Sequence, residues 1–163
     1  MSSHGNDKQA AELLDSSIVL DLDKQLCFKL YACSRAMTKV YQPMMKDLGI
    51  TYPQYLVLLV LWEWAESADS EPTVSKLGER LRLDSGTLTP LLKRLEQRSL
   101  VIRQRAVEDE RRVLVQATES AFALRERALN WVNKLFSGLA INIAEVDALR
   151  DNLNRLLMAL EGK

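Results

Sequence analysis

The sequence predicts a mainly α-helical fold with one small β-hairpin, and a stretch in the middle of the chain carries most of that prediction. Between residues 77 and 97, two runs of leucines at helical spacing are separated by a polar corner at Leu83 and Asp84. Two β-rich runs follow, at 101–105 and 112–115, joined by six residues. A helix, a turn, a second helix and a hairpin form the winged helix-turn-helix pattern.

The second helix of this stretch has the residue distribution of a helix that reads DNA. Asp84 or Ser85 offers a side-chain oxygen to the free N–H groups of its first turn. Its leucines form one apolar face, which must be buried. The opposite face carries short polar groups first and cations later, so its first turns would meet base edges and its later turns phosphate. The candidate DNA contacts on this helix are Asp84, Ser85, Thr87, Thr89, Pro90, Lys93 and Arg94.

Charge is unevenly distributed along the chain. The formal net charge of the 163 residues is zero, which alone would argue against a nucleic-acid partner. Between residues 76 and 105, however, eight cations face three acids, a local charge of +5. This segregation is expected if one face meets phosphate, although an ordinary solvated surface would also produce it.

The composition excludes several classes of protein. No apolar run approaches the ~18 residues that span a bilayer, and no signal peptide is visible. Two cysteines suggest free thiols in a reducing compartment, so a cytoplasmic location without membrane association is expected. The single histidine, His4, leaves neither a histidine-based catalytic triad nor a histidine metal site, and no cofactor or enzyme activity is expected.

The first part of the chain predicts a tail and a helix. Residues 1–20 are polar and rich in small side chains, which predicts a tail without fixed structure. A helix is expected from Asp23, as its N-cap, to about Tyr41, ended by Pro43 and the Lys-Asp-Leu-Gly run behind it. Residues 21–48 are assigned to this N-terminal helix, which would serve dimerisation and sensing.

Residues 49–117 are assigned to the DNA-binding domain. Pro53 marks the start of a helix, and the apolar run at 55–62 with its polar continuation is too long for a strand, which predicts a central buried helix. An acidic turn at 67–72 follows, and Thr73 would cap the first helix of the helix-turn-helix.

Residues 118–163 predict two long helices, from Thr118–Glu119 to about Gly138 and over 141–160. Their leucines offer more apolar surface than one small domain needs, and a partner helix from a second subunit would cover it. A homodimer would also place two recognition helices about 34–36 Å apart, the spacing of successive major grooves on a pseudo-palindromic operator. Packing within one chain is the alternative.

Cys27 is the residue with the clearest chemistry. It lies in the first turns of the first predicted helix, where free N–H groups and the helix dipole favour a thiolate, the form that a peroxide oxidises to sulfenic acid. Tyr31, one helical turn on, could reach the sulfur. Tyr41 is ~21 Å along a straight helix and would have to come from another subunit. The alternative is that Cys27 is a small buried hydrophobe.

The second cysteine, Cys33, is predicted to pack in the core. It lies six residues from Cys27, ~9 Å along the helix, beyond the ~7 Å Cα separation that a disulfide tolerates.

Several stretches resemble a known family. The string DSGTLTPLLKRLE followed by EDERR resembles the MarR-type winged-helix repressors, and Asp109-x-Arg111 matches the wing signature of that family. The stretches LDKQLCFKLYACSRAMTKVYQP and GITYPQYLVLLVLWE resemble the OhrR subgroup, the organic hydroperoxide sensors. The similarity covers roughly residues 20 to 118.

The resemblance implies a role for particular residues. Cys27 would be the peroxide sensor, and Tyr31, Tyr41 and Tyr52 would bond its sulfur or line its pocket, the latter two across the dimer. In the wing, Arg111 would enter the minor groove while Asp109 holds a neighbouring basic side chain, and the wing cation Arg105 completes the candidate DNA contacts.

Many two-cysteine relatives carry a resolving cysteine after the wing. This chain has none beyond Cys33 and resembles the one-cysteine type, in which a low-molecular-weight thiol or overoxidation completes the switch.

The sequence therefore predicts a redox-sensing repressor that binds double-stranded DNA as a homodimer and releases its operator when an organic hydroperoxide oxidises Cys27. One alternative is a MarR-type repressor released by a non-covalent small aromatic ligand. The other is a thiol-dependent peroxidase.

Overall fold

Six helices and one hairpin make up the part of the chain that the computed structural model describes, residues 20–67, 72–138 and 142–162 without the side chain of Ile143. The elements are α1 (Leu26–Leu48), α2 (Tyr52–Glu66), α3 (Val74–Leu81), α4 (Ser85–Gln97), β1 (Val101–Arg105), β2 (Val113–Ala117), α5 (Glu119–Gly138) and α6 (Ile143–Leu160). The predicted fold, mainly helical with one small hairpin, is confirmed.

The chain divides into two compact units at the bond between Tyr52 and Pro53. The domain limits assigned from the sequence remain predictions. All but the last residue of the predicted tail at 1–20, and residues 68–71 of the predicted acidic turn, lie outside the described residues.

α1 begins later than predicted. A short 3₁₀ turn, Leu22–Lys24, precedes it, and the Asp21 carboxylate accepts the N–H of Asp23 at 3.0 Å. The helix then starts at Leu26 without a side-chain cap. The prediction of Asp23 as N-cap was wrong, because Asp21 caps a separate turn before the helix. Cys27 is consequently the second residue of α1, among its free N–H groups.

α1 also continues beyond its predicted end. It passes through Pro43 and ends at Leu48, although a proline inside a helix removes a backbone hydrogen bond at a cost of about 3 kcal/mol. The following turn buries Met44, Met45 and Leu48, which are 3%, 8% and 2% exposed, and their burial offsets that cost. Gly49, with φ of 68°, then ends the helix in the left-handed conformation, as predicted.

α2 is the central buried helix that the sequence predicts. Pro53 occupies its second position, and the side chains of Val57 and Leu58 are fully buried. Because α2 is buried on several sides, its apolar residues show no one-sided pattern.

α3 and α4 form the predicted helix-turn-helix. The Thr73 hydroxyl caps α3 by accepting a backbone N–H at 3.2 Å, and the chain reverses through Arg82, whose φ is 55°. Asp84, one of two predicted caps, precedes α4. Four leucines, each at most 1% exposed, fasten the two helices to the core: Leu77, Leu88, Leu92 and Leu95.

The hairpin forms the wing. β1 has its predicted bounds and pairs antiparallel with β2, so that Val101 lies opposite Ala117 and Arg105 opposite Val113. β2 extends two residues beyond the predicted 112–115. The Thr118 N–H donates to the Leu100 carbonyl at 3.1 Å, which continues the ladder past the predicted end.

α5 and α6 correspond to the two long helices predicted after the wing. α5 begins at the predicted residue, Glu119. α6 begins at Ile143, two residues later than predicted, because the Asn142 side chain caps it by accepting the Ala144 N–H at 3.0 Å. Among the described residues, no helix is both long and apolar enough to cross a membrane.

Gly78 lies inside α3, where the turn that follows the helix leaves no room for a side chain. A Cβ there would lie 3.0 Å from the Leu83 carbonyl oxygen, whose residue is itself held by a 2.9 Å hydrogen bond from its N–H to Gly78. Gly78→Ala should therefore lower the thermal midpoint by the equivalent of about 1–3 kcal/mol, the typical cost of overpacking.

Gly138→Ala is the matched control, because a Cβ there meets nothing within 4 Å and alanine favours the helix. Equal midpoints for the two variants would contradict the tight turn.

Candidate nucleic-acid interface and sensor site

The outer face of α4 is polar and exposed. Ser85, Thr87, Thr89 and Pro90 are exposed near its start, and Lys93 and Arg94 are exposed further on. Leu88, Leu92 and Leu95 are buried on the opposite side and Leu91 is half-buried, so the two faces are separated as predicted.

Asp84 holds the start of α4. Its Oδ1 accepts the Thr87 backbone N–H at 2.9 Å, and its Oδ2 accepts the Thr87 hydroxyl at 2.9 Å. These two hydrogen bonds lower the pKa of the Asp84 carboxyl below its usual value, so the carboxylate is ionised at neutral pH. Asp84 was predicted both as a cap and as a DNA contact, and the structure shows it engaged as the cap.

The wing is tied to α4 by an ion pair that the sequence analysis missed. The Arg103 guanidinium donates to Glu96 Oε2 from Nη2 at 2.5 Å and from Nε at 3.2 Å. This pairing lowers the pKa of the half-buried Glu96 carboxyl. Arg103 was counted among the cations facing phosphate, but its charge is already neutralised. Glu96 and Arg103 are seven residues apart and lie on different elements, so no pattern in the sequence predicts their contact.

Two hydrogen bonds to Asp109 hold the loop at the tip of the wing. Asp109 Oδ1 accepts the Arg111 N–H at 3.0 Å, and the Asp109 carbonyl accepts the Arg112 N–H at 2.9 Å. The Arg111 side chain is exposed, whereas Arg105 lies 3.8 Å from Glu110. Asp109 thus orders the loop that presents Arg111. The DNA contacts of both residues stay predictions.

Cys27 is exposed at the second position of α1. Its Sγ lies 3.9 Å from Gln25 Oε1, a weak contact. The Tyr31 hydroxyl accepts a hydrogen bond from Arg35 Nη1 at 3.0 Å, and the guanidinium also lies 5.5 Å from the Tyr31 ring. The phenolic hydrogen of Tyr31 remains free to donate, because Arg35 uses only a lone pair of its oxygen.

Tyr41 and Tyr52 meet edge to face, with ring centroids 5.6 Å apart. Burial, and secondarily the neighbouring Tyr52, raises the pKa of Tyr41 above its usual value, so its phenol stays protonated and can act as a donor. Because α1 is unbroken, Tyr41 lies ~21 Å along the helix axis from Cys27 of its own chain.

Cys33 is exposed in the single chain, so the predicted packing of this residue in the core of one chain was wrong. It belongs to a helix whose N-terminal half contains no buried residue. Large apolar side chains of α1 and α6 share this exposure: Leu26, Leu30, Tyr31, Met37, Val40, Leu149, Leu153, Leu157, Met158 and Leu160.

A cavity of about 320 Å³ that the sequence did not predict opens between α2 and α5. Tyr55, Leu59 and Trp62 line one side, and Ala128 and Leu129 lie on the other. Within the described residues, the indole N–H of Trp62 is buried without a hydrogen-bond partner.

Comparison with known proteins places the chain among transcriptional regulators. The family model "Transcriptional regulator SarA/Rot" matches residues 39–126. The chain is 46% identical over 144 residues to the organic hydroperoxide resistance transcriptional regulator of Bacillus subtilis (strain 168), a match covering 88% of this chain and 95% of that protein. The chain belongs to the MarR family of winged-helix transcriptional regulators, and within it to the organic hydroperoxide regulator type.

Two further relatives support this assignment. The regulator SarZ of Staphylococcus aureus (strain MRSA252) is 38% identical over 136 residues, covering 83% of this chain and 88% of SarZ. The structure of reduced AbfR bound to DNA has a TM-score of 0.73 and 36% identity, covering 86% of this chain and 93% of that one. These MarR-family relatives are regulators and not enzymes, which confirms the prediction that the chain is not an enzyme.

The ion pair between Glu96 and Arg103 joins α4 to the wing and makes the stability of the protein depend on pH. Glu96→Gln should lower the unfolding midpoint at pH 7. Since the folded-state pKa of Glu96 lies below its usual value of about 4.5, this contribution is present above that pH and lost as pH falls through the folded-state pKa.

The measurement is urea denaturation of wild type and Glu96→Gln at several pH values, with Glu126→Gln as an exposed control. A difference that stays constant from pH 7 to pH 3 would show that the ion pair contributes nothing.

Proposed function

We propose that this MarR-family regulator is a homodimeric repressor whose operator is released when an organic hydroperoxide oxidises Cys27. The observation that carries the proposal is the exposed Cys27 at the second position of α1, in a chain 46% identical to an organic hydroperoxide resistance regulator.

The DNA-binding half of the proposal is supported by α4 and the wing. α4 presents exposed polar groups followed by Lys93 and Arg94, and the wing presents Arg111. A relative of the same fold, AbfR, was solved bound to DNA. In the proposal, α4 enters the major groove, while Arg111 and Arg105 lie along the neighbouring backbone and minor groove.

The homodimer is supported by uncovered apolar surface. The exposed leucines of α1 and α6 are more than half exposed at several positions, including Leu26 at 57%, Leu149 at 57% and Leu160 at 74%. Apolar surface at helical spacing on two long helices is typical of a helix–helix interface. A twofold dimer would also set two copies of α4 at the spacing of a pseudo-palindromic operator.

The sensing chemistry requires only Cys27 and the hydroperoxide. The thiolate attacks one peroxide oxygen, an S–O bond forms, and the O–O bond breaks. The departing alkoxide takes up a proton and leaves as an alcohol. Sulfur is oxidised to the sulfenate by two electrons, and the peroxide is reduced by the same two.

Tyrosine donors complete the proposed sensor pocket. Tyr31 lies one turn from Cys27 on the same helix. Tyr41 lies ~21 Å along α1 from the Cys27 of its own chain, and the ring of Tyr52 packs against the ring of Tyr41. In the dimer, Tyr41 and Tyr52 of one subunit would donate to the Cys27 thiolate of the other. Oxidation would replace the thiolate sulfur with a larger oxidised group and disrupt its hydrogen bonds to the tyrosines. A hundredfold loss of operator affinity needs about 2.7 kcal/mol, comparable with one or two hydrogen bonds to a charged group.

The sulfenate has no resolving cysteine within its own chain. Cys33 lies six residues on, in an unbroken helix, which places it ~9 Å along the axis and beyond disulfide reach. A low-molecular-weight thiol, or further oxidation, would therefore complete the switch.

The decisive experiment compares Cys27→Ser with Cys33→Ser. Operator affinity of the reduced proteins is measured by fluorescence anisotropy before and after cumene hydroperoxide. Wild type and Cys33→Ser should lose affinity by about a hundredfold, whereas Cys27→Ser should stay bound because serine oxygen cannot be oxidised. Release of Cys27→Ser by the hydroperoxide would remove Cys27 from the mechanism.

A second prediction concerns the tyrosine donors. Tyr41→Phe should slow the reaction of Cys27 with cumene hydroperoxide by about tenfold, because a lost hydrogen bond to a charged group is worth ~1.5–3 kcal/mol. Sulfenate trapping by dimedone, followed by mass spectrometry, measures the rate.

Mixed dimers that combine Tyr41→Phe with Cys27→Ser test the crossing between subunits. If one chain carries both changes and the other is wild type, the remaining Cys27 has lost the tyrosine donor of its partner and should react slowly. If the two changes lie on different chains, the donor from the partner is intact and the remaining Cys27 should react at the wild-type rate. An equal rate in the two arrangements would contradict the proposed crossing.

The cavity between α2 and α5 favours one second candidate, release by a non-covalent small aromatic ligand. Its walls are largely apolar, which suits an aromatic ring. Release of operator from Cys27→Ser by benzoate, and its loss in Cys27→Ser carrying the cavity-filling change Leu59→Trp, would support this candidate.

A further inference from the structure

At the start of α4, the Thr87 hydroxyl donates its only hydrogen to the Asp84 carboxylate. Asp84 Oδ2 and Thr87 Oγ1 lie 2.9 Å apart. An ionised carboxylate can only accept hydrogen bonds, so the hydrogen between the two atoms belongs to the threonine. The hydroxyl of Thr87 therefore faces its surroundings with lone pairs alone.

The local structure holds this arrangement in place. The other oxygen of Asp84 accepts the Thr87 backbone N–H at 2.9 Å, so the carboxylate is fixed by two bonds to one residue. Gly86 leaves room for it, since a Cβ at that position would lie 3.0 Å from Asp84 Oδ1. Thr87 itself is exposed on the polar face of α4.

We propose that Thr87 acts as an acceptor-only reader of a base edge and that Asp84, as a positioning residue, imposes this polarity. In the major groove the donors on base edges are the amino groups of adenine and cytosine, whereas guanine and thymine present acceptors to a side chain in that position. The base that meets Thr87 is therefore adenine or cytosine, in each half of the operator. The inference rests on the proposed function, because it requires α4 to enter the major groove.

A single substitution gives the Thr87 hydroxyl a free donor without removing the helix cap. In Asp84→Asn, the amide oxygen still accepts the Thr87 N–H, and asparagine caps helices as well as aspartate does. The amide nitrogen, however, donates to Thr87 Oγ1 and frees the hydroxyl hydrogen. Thr87 then presents a donor, which fits the O6 or N7 of guanine or the O4 of thymine.

The test is selection of bound sequences from a library of randomised duplexes by the reduced, full-length protein. Wild type should show adenine or cytosine at one position of each half-site. Asp84→Asn should also accept guanine or thymine at that position, because the Thr87 hydroxyl can then donate as well as accept, and should leave the other positions unaltered. Thr87→Val, which lacks the hydroxyl, should lose the preference there by about three- to tenfold, the effect of one neutral hydrogen bond.

Thr87→Ser is the matched control, because it keeps the hydroxyl and removes the methyl group. Retained preference in Thr87→Ser supports the hydroxyl reader, while loss of it would show a contact between the threonine methyl and thymine and overturn the inference. An unchanged profile for Asp84→Asn, or a uniform loss of affinity over all sequences, would also overturn it, since a purely structural cap changes affinity without changing base choice.

These outcomes are separable from the proposed function. If the reduced wild type selects no sequence at all, DNA binding itself fails. If it selects an operator but keeps it after oxidation, only the sensing half fails, and the base preference at the Thr87 position still decides this inference.

Discussion

Burial of one leucine face of α4 is the interaction on which the functional surface depends. Leu88, Leu92 and Leu95 are at most 1% exposed, and this burial fixes the rotation of the helix about its own axis. Every polar group on the opposite side is then presented to the outside in a defined direction. The Asp84 cap fixes the first turn, and the Glu96–Arg103 pair ties the last turn to the wing. A reading surface made of short side chains needs this rigidity, because a short side chain cannot compensate for a misplaced helix.

The continuity of α1 is the second constraint. The helix contains both Cys27 and Tyr41 without a break between them. Because each helical residue rises 1.5 Å, Cys27 and Tyr41 stand at a fixed separation of ~21 Å along the axis. That separation is the physical reason why the proposed sensor pocket needs two chains, and the uncovered apolar side chains on α1 supply a surface on which the second chain could pack.

The charge pattern illustrates why counting residues overstates a binding surface. The region from 76 to 105 has a net charge of +5, but not all its cations are available to phosphate. Arg103 is neutralised by Glu96, and Arg80 lies 3.2 Å from Glu63. The first pair is half-buried and defined in geometry, whereas the second is exposed and contributes little to stability. Lys93 and Arg94, in contrast, are exposed on the polar face of α4.

The sequence by itself determined the order of the elements, the caps at Thr73 and Asp84, the two faces of α4 and the position of Cys27 near a helix start. These features depend on neighbours along the chain, on hydrophobic periodicity and on capping chemistry, so local residues contain the information. The predictions from the sequence were wrong about the residue at which α1 begins, about Pro43 as its end and about the burial of Cys33. The sequence also could not show the Glu96–Arg103 pair or the cavity beside Trp62. The start of α1 was missed because the Asp21 carboxylate caps a separate turn before the helix. Only the tertiary structure decided the other features, because packing determines whether a proline is tolerated, whether a thiol is covered and which charges meet.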